Sequence, residues 1–169
     1  MSMDALNALP DDARLWLLAL EPAPDSAAMA RLGEAMDALV AEWRHKGVQY
    51  AGAWTLVEGR ILALAEPTMT TAPSGCAIDG MMRKVRRHLD ELGLTLVDAA
   101  TSVLVRAKDG LRAIPKTDLE ARLADGTLDA ATPVLDLSLF TLGDLRRGKL
   151  EKPLAATWIG RKFKVAAAV

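Results

Sequence analysis

One short stretch gathers the residue types that could do chemistry: TTAPSGCAIDGMMRKVRRH, residues 70–88, which holds the chain's only cysteine, Cys76. A polar loop leads into it and a basic segment follows. If a helix begins near Cys76, a turn of 100° per residue puts Cys76, Gly80, Arg83 and Arg87 on one stripe about 60° wide. Ile78, Met81, Met82, Val85, Leu89 and Leu92 then form the opposite, apolar side. A helix N-terminus presents free N–H groups and about half a positive charge, which favours an anion. Arg83 lies two turns further along the same stripe and adds to this. Such a place suits a thiolate or a bound phosphate or carboxylate. The candidate ligand-binding set is Thr70, Thr71, Ser74, Gly75, Cys76, Asp79 and Arg83, and Cys76 is also the candidate catalytic nucleophile. An ordinary structural explanation covers the same residues. Ser-Gly caps helices, Asp79 can hold a first turn, arginines face solvent, and a lone cysteine is commonly a small buried hydrophobe.

Other candidates are weaker. Glu66 ends an apolar run just before the loop and is a possible acid or base. On an unbroken helix His88 lies about 18 Å from Cys76, too far for a Cys-His pair. His45 falls at the end of an earlier helical stretch, where a histidine suits the dipole. The chain has no phosphate-binding G-x-x-x-x-G-K-[ST], no G-x-G-x-x-G, no C-x-x-C and no G-x-S-x-G. No cofactor and no metal is expected, since one cysteine and two histidines are a poor ligand supply.

The elements that must hold this stretch follow from periodicity. ARLWLLAL, 13–20, is a short apolar run stopped by Glu21-Pro22, the pattern of a buried strand. Asp25 and Ser26 can cap a helix over 27–46, with Met29, Leu32, Met36, Leu39, Val40 and Trp43 on one face and Gly47 to end it. Runs 48–57 and 60–66 flank Glu58-Gly59 as a hairpin. A second helix spans 76–92, ended by Gly93, and SVLVRA, 102–107, is a further strand. The order β-α-β-β-α-β predicts an α+β protein of ferredoxin-like type, an antiparallel sheet with two helices on one face, over residues 10–107. Residues 108–165 are expected to form a small C-terminal α/β appendage. It would hold a short helix opened near Thr117 and closed by Gly126, a strand over 132–140, a short helix from the TLGD box at 141–144, and an irregular end anchored by Trp158 and Phe163.

At 169 residues, 51% apolar and 25% charged, the chain has the make-up of a folded domain that needs no disulfide. The formal net charge of −1 argues against bulk attraction to nucleic acid. The strand RILALAE also lacks the aromatic residues that stack on RNA bases. No run reaches the length of a membrane span and the start has no signal-like core, so a cytoplasmic protein with no membrane partner is expected. Charge is uneven: residues 1–30 hold five acids against one base, and residues 141–169 hold seven bases against two acids. The partners expected are a small anion or a protein, with a homo-oligomer as a further possibility. Three functions are open: anion or protein binding at the loop–helix junction, a cysteine-dependent enzyme or redox sensor, and a structural subunit.

SGCAID, 74–79, followed by a basic amphipathic helix, and the ending KPLAATWIGRKF, 152–163, resemble a family of small uncharacterised bacterial proteins. That family is marked by an SGC-x-ID stretch and a Pro…Trp…Arg-x-Phe ending, and some members are labelled ABC-transporter ATPases. The resemblance implies the same small cytosolic architecture and no particular activity. This chain lacks the phosphate-binding loop that the ATPase label requires. TDLEARLADGTLDAATPV, 117–134, also resembles a helix-Gly-turn-strand unit of small peptide-binding modules.

Overall fold

The computed structural model describes residues 4–45, 47–67 and 75–165. In chain order the elements are α1 (Asp4–Asn7), β1 (Arg14–Glu21), α2 (Ser26–Glu42), β2 (Arg44–His45), β3 (Val48–Gln49), β4 (Ala53–Val57), β5 (Ile61–Glu66), α3 (Gly75–Glu91) and β6 (Thr95–Leu96). They continue with β7 (Ser102–Ala107), β8 (Gly110–Pro115), α4 (Leu119–Ala124), β9 (Pro133–Leu135), α5 (Leu142–Arg146), β10 (Glu151–Pro153) and α6 (Trp158–Lys162). The chain is mixed α and β with two antiparallel four-stranded sheets, ordered β4-β5-β1-β6 and β10-β9-β7-β8. It divides into two compact units: residues 1–96 with 138–146, and residues 97–137 with 147–169. Among the described residues, no helix is long and apolar enough to cross a membrane.

In the first unit, β1 pairs with β5 from Arg14↔Glu66 to Ala19↔Ile61, and β4 pairs with the other edge of β5. Strand alternation sends Leu20, Trp54, Leu56, Leu62 and Leu64 to one side. There they share a core with Leu32, Met36 and Leu39 of α2 and Met81, Val85 and Leu89 of α3. Both long helices therefore pack into one cluster with the sheet. Each helix has a physical start or stop. The Asp25 carboxylate accepts the Ala28 N–H at 2.8 Å and opens α2. Gly93, at φ +68°, lets Leu94 N–H reach back to the Leu89 carbonyl and closes α3.

Several boundaries differ from expectation. α2 ends at Glu42 rather than near 46, because Trp43 is extended and Arg44–His45 pair with Val48–Gln49. Gly47, at φ +81°, serves that turn instead of capping the helix. The fourth strand of the first sheet is Thr95–Leu96, paired with Leu20 and Glu21, and not residues 102–107. Asp98 redirects the chain between them. Its carbonyl accepts from Thr101 and Ser102 and its side chain from Ala100. β7 then enters the second sheet against β8 and β9. The two units divide after residue 96, and 138–146 belongs with the first unit. There Leu15 donates to the Phe140 carbonyl and Leu142 to that of Ala13, and Arg146 reaches Asp11 at 2.5 Å.

The second unit has its own core of Val103, Val105, Leu119, Leu128, Val134, Leu154 and Ile159. The strand expected over 132–140 is only Pro133–Leu135. The end expected to be irregular holds β10 and α6, and the Thr157 side chain accepts the Gly160 N–H to cap α6. α6 sits so close to the preceding turn that a Cβ on Gly160 would lie 2.5 Å from the Leu154 carbonyl oxygen and 2.6 Å from Ala155 Cα. Those are backbone atoms and cannot swing aside. Gly160→Ala is expected to destabilise by about 1–3 kcal/mol, the usual cost of overpacking. A chemical-denaturation midpoint lowered relative to the parent chain checks this. An unchanged midpoint would mean that α6 does not pack as described.

Candidate functional site

α3 carries its charged stripe where the helical phase puts it. Cys76, Gly80, Arg83 and Arg87 line one groove of about 500 Å³ in the first unit. Its other wall is the end of α2 and the residues just after it: Leu39, Glu42, Trp43 and Arg44. Ala77, Met81 and Lys84 complete the lining on α3's side. Four cations, Arg44, Arg83, Lys84 and Arg87, therefore face one carboxylate, Glu42. Lys84 lies 3.6 Å from Glu42 and Arg87 lies 3.9 Å from Glu91, both pairs well exposed and so weak. Arg44 and Arg83 are exposed and make no ion pair among the described residues.

Cys76 is exposed, so it is not a space-filling core residue. No hydrogen bond ties its thiol to a base among the described residues. Gly75 opens α3, and Asp79 is exposed and stands outside the groove lining. Thr70, Thr71 and Ser74 lie outside the described residues. His88 sits further along α3, 3.4 Å from Glu91, and is no part of the groove. The described residues contain no group of three or more His, Cys, Asp or Glu that could hold a metal ion.

Sequence reasoning missed the α2 side of the groove: Glu42, Trp43, Arg44 and Leu39. A helical wheel shows which side of α3 is polar but not which element it faces. One signal was present, since a helix ending Glu-Trp-Arg places charge beside a large ring. Trp43 itself is buried, packing edge-on to Trp16 at 5.8 Å and tilted against Tyr50 at 5.2 Å. Its indole N–H has no acceptor among the described residues. A buried donor without an acceptor costs about 1–3 kcal/mol.

Beside these rings lies the charged residue that burial sets apart. Glu66, 2% exposed, ends β5 directly opposite Arg14 of β1. One carboxylate oxygen has no partner among the described residues, and neither has Arg14 Nε. The Arg14 guanidinium lies over Trp16 at 5.4 Å and over Phe140 at 5.1 Å. Burial raises the Glu66 carboxyl above its usual 4.5, and Arg14 only partly offsets this. The Tyr50 phenol is raised too, first by burial and then by the charge on Glu66.

The second unit has a larger concavity, about 740 Å³, but its charges are mostly satisfied locally. Arg106 pairs with Glu151, Arg112 with Asp109 and Arg122 with Asp125. Asp129 is held low by hydrogen bonds from Thr132 and Ala131. The α2–α3 groove is smaller yet holds the uncommitted cations, and it is the candidate site. Comparison of the chain with protein-family models, with curated proteins and with solved structures found no match.

The raised Glu66 has a definite sign in stability. A carboxyl that is harder to ionise when folded contributes stability that is full below its unfolded value and lost as pH rises through the folded one. The parent chain should therefore lose stability from about pH 4.5 upward through this group, while Glu66→Gln lacks that loss. Unfolding midpoints of the two chains from pH 4 to pH 8 check this. The gap should move in favour of the glutamine variant with rising pH. A gap moving the other way would mean that Arg14 outweighs burial.

Proposed function

We propose that the protein binds an anionic ligand in the α2–α3 groove. The observation that carries the reading is the gathering of Arg44, Arg83, Lys84 and Arg87 around one groove in which Glu42 is the one acid among the described residues. Arginine forks match the oxygens of phosphate and carboxylate, and two of these arginines are uncommitted among the described residues. The N-terminal end of α3, at Cys76 and Ala77, lies at the same groove and adds its partial positive charge.

The strand order β4-β5-β1-β6 and the shared core of α2 and α3 support a ferredoxin-like reading of the first unit. On that reading the groove is formed where the end of the first crossover helix meets the start of the second. A cysteine-dependent reaction is the second reading, favoured by the exposure of Cys76 beside these cations. It lacks a base in hydrogen-bond contact with the thiol among the described residues, and this sets it behind binding.

Calorimetric titration with inorganic pyrophosphate tests the reading. The parent chain is expected to bind it, and more weakly as salt is raised, because exposed charges are screened. Arg83→Ala should weaken binding roughly tenfold, since a hydrogen bond to a charged group is worth about 1.5–3 kcal/mol. No pyrophosphate binding at low salt, or equal binding by the variant, would contradict it.

A further inference from the structure

Resting on that reading, we infer that the ligand is an organic phosphate monoester whose flat apolar body lies along α3 at Gly80. Three features of the groove converge on this class. The first is charge. Four cations against one carboxylate suit a dianion better than a single carboxylate, and a phosphate monoester is close to doubly charged at neutral pH. The second is the rest of the lining. Leu39, Trp43, Ala77 and Met81 are apolar, so the groove offers a wall that inorganic anions cannot use. At about 500 Å³ it falls in the range of small-molecule sites, typically about 300–1,000 Å³.

The third feature is Gly80. It lies within α3, where glycine is unfavourable relative to alanine. Its φ is not positive, and no close packing requires it. Among the described residues, a Cβ there would meet nothing nearer than Arg83 Nη2, at 4.0 Å. Contrast Gly160, where backbone fills the space. Among the described residues, therefore, no packing contact requires glycine at this position. What it does is keep the groove wall open next to Arg83, leaving room for a planar body whose phosphate reaches the arginines.

The experiment compares inorganic phosphate with 1-naphthyl phosphate by calorimetry, on the parent chain, Gly80→Ala and Gly80→Leu. The two probes share a head group, so any difference belongs to the body. Burying the naphthyl ring should make the ester bind at least about tenfold tighter than inorganic phosphate. Gly80→Leu should abolish that advantage, and Gly80→Ala should fall between. Gly80→Ala should melt no lower than the parent chain, because alanine is the better helix residue and a Cβ there meets no closer atom than Arg83 Nη2 among the described residues. If pyrophosphate binds but the ester is no tighter than inorganic phosphate, the inference is overturned while the anion site stands. If Gly80→Leu keeps the full advantage, the body lies elsewhere and the inference is again overturned. If pyrophosphate itself does not bind, both readings fall.

Discussion

Everything at the candidate site depends on where the Trp43 ring is held. It follows the last residue of α2, in extended conformation, so its position sets where that helix stops. One edge of the ring presses on the backbone at Gly52, where a Cβ would be 3.1 Å from Cε3 and 3.3 Å from the Ala65 carbonyl oxygen. Trp16 and Tyr50 close on it in the core. With the ring fixed, α2 turns out of its helix at once, Tyr50 N–H returns to the Trp43 carbonyl, and Arg44 is carried to the groove. A longer α2, as the apolar spacing alone would allow, would carry Arg44 on around the helix instead.

The same ring ties the groove to the buried pair at the end of β5. Glu66 stands opposite Arg14, and Arg14 in turn lies between Trp16 and Phe140. A carboxylate buried this far is costly unless it is paired and hydrogen-bonded. Here the pairing is electrostatic and one oxygen lacks a partner among the described residues. Among the described residues the buried core of the first unit is otherwise made of apolar and aromatic side chains, apart from Thr55.

Much of this was legible in the sequence, for identifiable reasons. α3 was readable in both extent and phase because its apolar side repeats at helical spacing and Gly93 marks its end. β1 was readable from the apolar run that stops at Glu21-Pro22, and β4 and β5 from apolar runs around Glu58-Gly59, both of which take positive φ. β6 was not, since two residues cannot display a period, and the stronger run at 102–107 took its place. The return of 138–146 to the first unit rests on backbone bonds to Ala13 and Leu15, which have no sequence signature. At the site, the α3 half was legible as Cys76, Gly80, Arg83 and Arg87. The α2 half was not, because facing elements are chosen by tertiary packing.

The central claim is that an anion occupies the groove that Cys76 lines. The single thiol reports on this directly. Iodoacetamide is uncharged, and the rate at which it labels Cys76 in the native protein can be followed with and without saturating pyrophosphate at constant ionic strength. The account predicts ready labelling without denaturant and marked slowing by pyrophosphate, with Arg83→Ala needing more pyrophosphate for the same slowing. A rate that pyrophosphate leaves unchanged would contradict it.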